Sequence, residues 1–281
     1  MRALSVVSPE RPSFTLPAEL DRRAQELLSD GGAWQPPPVH DAATLMLLRS
    51  GEAGLEVLLQ KRPTAMAFAA GMYVFPGGRV ETSDADEHVP WQGPLDYEPF
   101  PLKDDAQPTA HFRALTVAAV RETWEEAGIA LMTGEPAPPP ESNVEFLAWL
   151  RKENRAVAGE FLFPWVHWVT PEVERRRFDV RFLVAQVPSG AEGADMSSET
   201  EETRWISPEE AVAAAVDGAL PMLPPTADAL RQLVGFADPE SVLAVARTRR
   251  PRPLLPRPWR VTDGVVDWRL EDAYSGEVIS S

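Results

Sequence analysis

The chain has 281 residues, 44% of them hydrophobic and 25% charged, so it can bury a substantial core in one or two domains. Its formal net charge of -16 argues against a surface whose main task is to hold nucleic acid phosphates. Cysteine is absent, which excludes disulfides, thiolate catalysis and cysteine-based zinc sites.

The sequence carries no recognisable address to another compartment. Its first residues lack the apolar core of a signal peptide, and it contains no run of about 18 apolar residues. We therefore expect a cytoplasmic protein that binds neither membranes nor nucleic acid.

Residues 1–40 are expected to form an N-terminal extension that packs against the main body. Within it, 17–28 has helical periodicity. Two apolar runs follow, at 42–48 and 55–60, and the glycine-containing stretch 50–54 between them is typical of a turn. This pattern predicts a β-hairpin.

A short strand then leads into 75–78 (Phe-Pro-Gly-Gly), a composition typical of a turn in which backbone closely approaches another group. Residues 82–109 show no sustained period and are interpreted as a long loop, which is uncommon in compact domains and often functional. Thr109 is predicted to be the N-cap of a helix from about 110 to 127, and Gly128 is expected to end it.

The remaining elements mix helices and strands without the alternation of a parallel sheet. The stretch 247–260 is rich in arginine and proline, which favours an extended arm over a core element. The mixture predicts either an α+β protein or an α/β protein of the α/β/α sandwich type around a mixed sheet. The predicted elements are a helix at 143–157, strands at 163–170 and 178–188, and helices at 206–216, 224–234 and 239–246.

Three carboxylates stand out on the helix predicted at 110–127. Glu122, Glu125 and Glu126 are three and four residues apart, which places them on one helix face. Like charges at this spacing repel, and a divalent cation would convert the repulsion into coordination. Taken alone, however, the three residues fit a solvated acidic face better than a metal site.

The surroundings of these glutamates change that interpretation. Residues 121–129 (Arg-Glu-Thr-Trp-Glu-Glu-Ala-Gly-Ile), together with the glycine turn, resemble the Nudix hydrolase signature, whose second half reads Arg-Glu-apolar-X-Glu-Glu-X-Gly-apolar. Only Thr123 departs, because a bulkier apolar residue is usual there. The resemblance implies the Nudix α/β/α sandwich.

The signature is split in this chain. A long stretch separates Gly78 from Arg121, so an insertion is expected at about 85–108. The first acidic position of the signature falls on Asp84 when counted forward from Gly78, and on Arg113 when counted back from Arg121.

Such an interruption resembles the long Nudix branch that contains the peroxisomal acyl-coenzyme A diphosphatases. Residues 58–62 (Leu-Leu-Gln-Lys-Arg) and Gly71, followed by the glycine turn, are similar in spacing to the coenzyme A signature of that branch. The second arginine of that signature is Ala67 here. By this resemblance the Nudix domain spans 41–240, followed by a proline/arginine-rich C-terminal extension at 241–281.

The resemblance also implies a chemistry, which is hydrolysis of a diphosphate bond with Mg²⁺ or Mn²⁺. It assigns metal binding to Glu122, Glu125, Glu126 and the backbone carbonyl of Gly77. It assigns catalytic roles to Arg121, Glu122, Glu125 and a downstream carboxylate, for which Glu199 is favoured over Glu201 and Glu202. It assigns substrate contacts to Arg62, Phe75 and Gly78.

The favoured substrate is coenzyme A or acyl-coenzyme A, a nucleoside diphosphate linked to another moiety. The alternative is ADP-ribose, another nucleotide-sugar or a dinucleotide. A non-catalytic Nudix-like nucleotide sensor is an alternative of another class, although such proteins usually lose glutamates of the signature. The partner is therefore expected to be a nucleotide-type small molecule, and a homodimer is expected because family members are often dimers.

Overall fold

A mixed β-sheet with helices on both faces organises the chain. The structure is a computed structural model that describes residues 18–29, 34–66, 69–93, 100, 108–129, 131–134, 145–188, 191 and 200–280. In these ranges no helix is both long and apolar enough to cross a membrane. The described helices are α1 (Ala18–Ser29), α2 (Pro108–Ala127), α3 (Phe146–Lys152), α4 (Pro208–Val216), α5 (Pro224–Arg231) and α6 (Pro239–Ala246). The described strands are β1 (Val39–Gly51), β2 (Gly54–Lys61), β3 (Tyr73–Val74), β4 (Gly77–Arg79), β5 (Trp91–Gln92), β6 (Val157–Ala158), β7 (Phe163–Val169), β8 (Arg177–Gln186), β9 (Glu202–Ile206), β10 (Pro253–Thr262), β11 (Val265–Asp272) and β12 (Val278–Ser280).

The main sheet has the strand order β12-β11-β10-β7-β8-β1-β2-β3, with β4 paired to β1 and β9 paired to β2. The first two strands form the predicted antiparallel hairpin, in which Gly51 pairs with Gly54. β1 also pairs in parallel with β8, so the sheet is mixed. β5 and β6 pair separately as a small parallel ribbon.

Strand β1 divides the core into two layers because successive side chains of a strand point to opposite faces. Ala43, Leu45 and Leu47 belong to a buried cluster that they share with α2 and α3. Met46 and Leu48 belong to a second cluster, on the side of α4, α5 and α6. Helices therefore cover both faces of the sheet, and the predicted α/β/α sandwich is confirmed.

Two predicted helices differ from the observed ones at their ends. α2 begins at Pro108, one residue before the predicted cap at Thr109. Proline is well tolerated in a first helical turn, where its missing N–H would have no partner. α3 covers only the middle of the range predicted at 143–157. Asn154 follows its end with a φ of 51°, a left-handed conformation that is incompatible with a continuing helix.

The insertion contributes to the core where it is described. A 3₁₀ turn at Thr82–Ala85 is followed by β5, which pairs Trp91 with Val157 of β6. Val89 and Phe100 are 3% and 4% exposed and belong to the same cluster as α2. Where it is described, the predicted long loop therefore contains regular structure and buried side chains.

The expectation of an extended arm at 247–260 is wrong. Strand β10 pairs in parallel with β7, through Pro253–His167 and Leu254–Trp168, and antiparallel with β11. Leu255 is 3% exposed. The fixed φ of proline and its missing N–H are compatible with strands where no ladder donor is needed, so proline content did not exclude a strand here.

The helix of the N-terminal extension packs as predicted. Leu20 and Ala24 of α1 are buried against Val173 and Val266, in a small cluster of their own. Gln25 adds a hydrogen bond from its side-chain amide to the carbonyl of Gly264, at 2.7 Å. α1 therefore covers the turn after β7 and the β10–β11 hairpin.

Candidate active site

Two glycines of β4 let the backbone approach the carboxylates of α2 closely. A Cβ on Gly78 would lie 2.3 Å from Oε1 of Glu122, and one on Gly77 would lie 2.5 Å from the carbonyl oxygen of Ala43. The amide of Gly77 donates a hydrogen bond to Oε2 of Glu126 at 3.2 Å. A side chain at Gly78 would therefore displace the carboxylate of Glu122 on α2, whereas one at Gly77 would meet the backbone of β1.

The three glutamates differ in their exposure. The side chains of Glu122 and Glu125 are 18% and 42% exposed, and Glu126 as a whole is 8% exposed. Burial raises the pKa of Glu122 and of Glu125, Arg121 opposes the rise, and neighbouring carboxylates add to it. The face is therefore not a solvated acidic surface, and its partly buried negative charge favours a cation.

Arg121 holds two of these carboxylates in place. Its Nη1 donates to Oε1 of Glu122 at 2.9 Å and to Oε2 of Glu125 at 3.1 Å. Burial alone would lower the pKa of Arg121, but Asp84, Glu122 and Glu125 together raise it above its ordinary value. The guanidinium is therefore a permanent positive charge within the cluster.

Asp84 completes the group from across the insertion. It is 0% exposed, and it accepts hydrogen bonds from Nε and Nη2 of Arg121 at 2.9 and 3.0 Å. The amide of Glu81 donates to the same carboxylate at 2.8 Å. Of the two candidates from the sequence, Asp84 is therefore the acidic partner of Arg121, and Arg113 binds backbone carbonyls instead. Counting six residues forward from Gly78 was the signal that identified it.

The donor set fits a hard divalent cation by its chemistry. Carboxylates of Glu122, Glu125 and Glu126 and the carbonyl of Gly77 offer the oxygen ligands that Mg²⁺ and Mn²⁺ prefer, and Gly78, which has no side chain, leaves the space that the Glu122 carboxylate occupies. In the described part of the chain, no three acidic or histidine side chains already stand in a metal-holding arrangement.

The ring of Phe75 lies in the core, and its predicted contact with substrate stays a prediction. Its side chain is 3% exposed and packs edge-to-face against Phe182, with ring centroids 6.3 Å apart. It belongs to the cluster on the opposite face of the sheet from α2. The period of β3 and the turn after it directs this aromatic ring into the core.

Arg62 lies beyond the end of β2, which is tied to the end of α2. Gln60, 2% exposed, donates from Nε2 to the carbonyl oxygen of Glu126 at 3.2 Å. Nε of Arg62 is buried and has no hydrogen-bond partner in the described ranges. Its backbone is held by Met72 and Gly71, so a cationic side chain with a free donor stands at this strand end.

The downstream carboxylates have partners where they are described. Glu201 forms an ion pair with Lys61 at 2.8 Å, and Glu202 accepts a hydrogen bond from the hydroxyl of Tyr73 at 3.0 Å. The favoured candidate, Glu199, lies outside the described residues. The structure therefore leaves its predicted role as a prediction.

A second buried polar group lies around His167 of β7. Nε2 of His167 is 2.5 Å from Oδ1 of Asp179, and the hydroxyl of Tyr274 donates to Oδ2 of Asp179 at 2.6 Å. Arg181 pairs with Asp179 at 3.3 Å and with Asp41 of β1. Phe100 of the insertion packs edge-to-face on His167, with centroids 5.5 Å apart. These residues join β1, β7, β8 and the β11–β12 turn, and they form a structural network.

The α/β/α sandwich and the glycine turn facing an acidic helix agree with a Nudix-type fold. Residues 113–227 match the family model described as NUDIX domain, so the match begins after the insertion. Over this part of the chain, the match confirms the resemblance on which the sequence interpretation rested.

Individual relatives agree with this assignment. The chain is 26% identical over 229 residues to acyl-coenzyme A diphosphatase NUDT19 of Xenopus laevis, covering 65% of this chain and 60% of that protein. It is 26% identical over 263 residues to the Homo sapiens protein of the same name, covering 77% and 69%. The crystal structure of a NUDIX hydrolase from Alicyclobacillus acidocaldarius has a TM-score of 0.60 at 27% identity, covering 74% of this chain and 96% of that one. The chain thus spans less than two thirds of the Xenopus relative.

Proposed function

We propose that this protein is a Nudix pyrophosphohydrolase that uses Mg²⁺ or Mn²⁺ to cleave a diphosphate bond in a nucleoside diphosphate linked to another moiety. The observation that carries the proposal is the contact between the glycine turn and the acidic helix. Gly78 lies beside the carboxylate of Glu122, and the Gly77 amide binds Glu126. Arg121 binds both Glu122 and Glu125. The similarity to a solved NUDIX hydrolase and to an acyl-coenzyme A diphosphatase supports it.

Hydrolysis of a diphosphate requires positive charge and in-line geometry. Water adds to one phosphorus, and the bridging oxygen leaves with its electron pair on the other phosphate. When bound by Glu122, Glu125, Glu126 and the carbonyl of Gly77, Mg²⁺ or Mn²⁺ would supply charge neutralisation of the diphosphate oxygens.

The residues of the chain prepare this arrangement. Arg121 holds Glu122 and Glu125 by hydrogen bonds, and the Gly77 amide orients Glu126. Glu122 either joins the ligands or accepts the proton of the attacking water, and its closeness to Gly78 places it beside the turn. Both roles therefore fall to the carboxylate that Arg121 already holds.

Coenzyme A or acyl-coenzyme A is the substrate that we propose. The two relatives of that name support it, and so does Arg62, whose buried Nε has no partner in the described ranges and could bind a substrate phosphate. One feature of the sequence favours the alternative, ADP-ribose or a related nucleotide. Ala67 replaces the second arginine of the coenzyme A signature.

A substrate panel tests the proposal. The purified chain is incubated with Mg²⁺ or Mn²⁺ and coenzyme A, acyl-coenzyme A, ADP-ribose or a dinucleotide, and the monophosphate products are separated. We expect hydrolysis of coenzyme A or its thioesters and its complete loss when the metal is chelated. Hydrolysis of ADP-ribose alone would favour the alternative, and nucleotide binding without hydrolysis would favour a sensor.

A glutamate substitution connects the activity to the site. Glu125→Gln removes a negative charge while keeping the shape of the side chain, and we expect kcat/KM to fall about a hundredfold or more. Glu52→Gln, in the exposed β1–β2 turn, is the matched control and should be silent. Equal activity of the two variants would place the reaction elsewhere in the chain.

A further inference from the structure

Arg113 stands two turns before Arg121 on α2 and fastens the start of the insertion to this helix. Its Nη1 donates to the carbonyl oxygen of Asp86 at 3.0 Å, and its Nη2 donates to that of Glu87 at 3.2 Å and to that of Val89. One guanidinium therefore binds three backbone carbonyls of a short segment. A planar fork with five N–H donors suits this arrangement better than an ammonium does.

The same segment begins with the acidic partner of Arg121. Asp84 lies two residues before Asp86, at the end of the 3₁₀ turn, and its carboxylate is saturated by Arg121 and the amide of Glu81. Arg113 and Arg121 are eight residues apart, or about 12 Å along the helix axis. The segment 84–89 is thus attached to α2 at two separate points.

The split signature explains the need for the second point. In an uninterrupted signature, a short link joins the turn directly to the helix and limits how far the acidic residue can move. Here residues 85–107 intervene, and a longer connection restrains its ends less strongly. Contacts between side chains and backbone have to supply the missing restraint.

We propose that Arg113 is a positioning residue for the site on α2, an inference that rests on the proposed function. It holds the 84–89 segment against the helix, so that Asp84 keeps Arg121 in the orientation that binds Glu122 and Glu125. Arg113 and Asp84 were the two candidates for the first acidic position of the signature. Asp84 binds Arg121 directly, and Arg113 acts on the same group by holding the segment that carries Asp84.

The surroundings of Arg113 agree with this role. Burial lowers the pKa of its guanidinium, while the charges of Asp86 and Glu87 oppose the decrease. The side chain also lies over the ring of Trp91, 5.9 Å from its centroid. A cation that remains charged in a partly buried position makes hydrogen bonds stronger than those of neutral donors.

The test compares Arg113→Ala with Arg151→Ala in the full chain. Arg151 contacts the same segment through an exposed ion pair with the Asp86 carboxylate, at 3.1 Å, and serves as the matched control. Amide hydrogen exchange of residues 81–93 reports on the segment, titration with Mn²⁺ alone reports on the carboxylates, and kcat and KM report on turnover. Arg113→Lys keeps the positive charge but has fewer N–H donors, and it tests whether the charge alone preserves part of the function of Arg113.

For Arg113→Ala we expect exchange at 81–93 to rise about tenfold, the Kd for Mn²⁺ to rise severalfold, and kcat to fall about tenfold with KM nearly constant. Arg113→Lys should lie between the parent and Arg113→Ala, and Arg151→Ala should resemble the parent. Unchanged exchange would overturn the contact, and faster exchange with unchanged Mn²⁺ affinity and kcat would overturn the positioning role.

The inference and the proposed function fail in distinguishable ways. If the parent hydrolyses no diphosphate on the panel, the proposed function fails, whereas exchange and Mn²⁺ titration still decide whether Arg113 orders the site. If the parent is active and Arg113→Ala matches it in kcat and Mn²⁺ affinity, only the inference fails.

Discussion

Asp84 and Arg121 form a buried, two-point ion pair between residues that are 37 positions apart in the sequence, with Nε–Oδ1 and Nη2–Oδ2 distances of 2.9 and 3.0 Å. The third guanidinium nitrogen, Nη1, is left for Glu122 and Glu125. One arginine thus connects the turn after β4 with two of the three glutamates. The insertion lengthens the chain between the partners without separating them in space.

Removal of Asp84 should therefore cost stability as well as activity. Asp84→Ala leaves the guanidinium of Arg121 without its two-point partner in a buried position, and breaking such a pair costs about 3–5 kcal/mol. Asp86→Ala, two residues away, removes an exposed ion pair with Arg151 and should cost much less stability. Denaturant unfolding of both variants measures the difference, and equal midpoints would contradict the importance of the buried pair.

The two glycines of the turn should respond differently to alanine. At Gly78 the new Cβ meets only the end of the flexible Glu122 side chain, so Gly78→Ala should fold normally but displace that carboxylate. At Gly77 it meets backbone, the carbonyl oxygen of Ala43 and Cα of Thr44, so Gly77→Ala should lose about 1–3 kcal/mol. Thermal unfolding combined with Mn²⁺ titration separates them. A stable Gly78→Ala with parental Mn²⁺ affinity would contradict the closeness of Gly78 to a metal site.

Phe75 should behave as a core residue. Phe75→Leu removes part of a ring packed against Phe182, so we expect a loss of about 1–2 kcal/mol and an unchanged KM for coenzyme A. Phe161→Leu, whose parent side chain is 55% exposed, should stay within about 0.5 kcal/mol of the parent. A raised KM for coenzyme A with unchanged stability would instead support the predicted contact between Phe75 and substrate.

The network around His167 should make stability depend on pH. Burial lowers the pKa of His167 below its ordinary value of 6.5, although Asp179 opposes the decrease. The unfolded chain then binds a proton at a higher pH than the folded one. The free energy of unfolding that is linked to neutral His167 is therefore fully present above about pH 6.5 and decreases as the pH falls below that value. The pKa of Asp179 is also lowered by its hydrogen bonds and ion pairs despite burial, so its own contribution is lost at still lower pH.

Substitution of the histidine isolates its share of that dependence. His167→Gln retains an amide donor towards Asp179 but cannot titrate, so its unfolding free energy should change less between about pH 7.5 and about pH 5.5 than that of the parent. Denaturant unfolding at several pH values measures both curves. Parallel curves would indicate that His167 is protonated equally in the folded and unfolded states.

The sequence predicted those elements of the fold that are determined by residues close together in the chain. The β1–β2 hairpin follows from two apolar runs around a glycine turn, and α4 begins at Pro208 after Ser207, whose hydroxyl accepts from the amide of Glu210 at 3.2 Å. The glutamates of α2 were found by their spacing. The acidic residue that completes their site could only be narrowed to two positions, Asp84 and Arg113. A contact across an insertion produces no periodic pattern in the sequence.

The wrong prediction at 247–260 also concerns a contact between residues that are far apart in the sequence. Strand β10 pairs with β7 through residues about ninety positions apart, and parallel pairing of distant segments has no local pattern. Composition was the only guide there, and arginine with proline suggested an arm. The substrate contact of Phe75 rested on the family resemblance alone, and strand alternation places its ring in the core.

The pairing of β10 with β7 also imposes an order on biosynthesis. Until residues 253–274 have left the ribosome, the edge of β7 at His167 and Trp168 has no neighbouring strand and Asp179 lacks the hydroxyl of Tyr274. Such an edge can pair with another chain and promotes aggregation. Expression vectors that stop the protein before these residues will therefore yield inclusion bodies, even though every glutamate of α2 has already been translated.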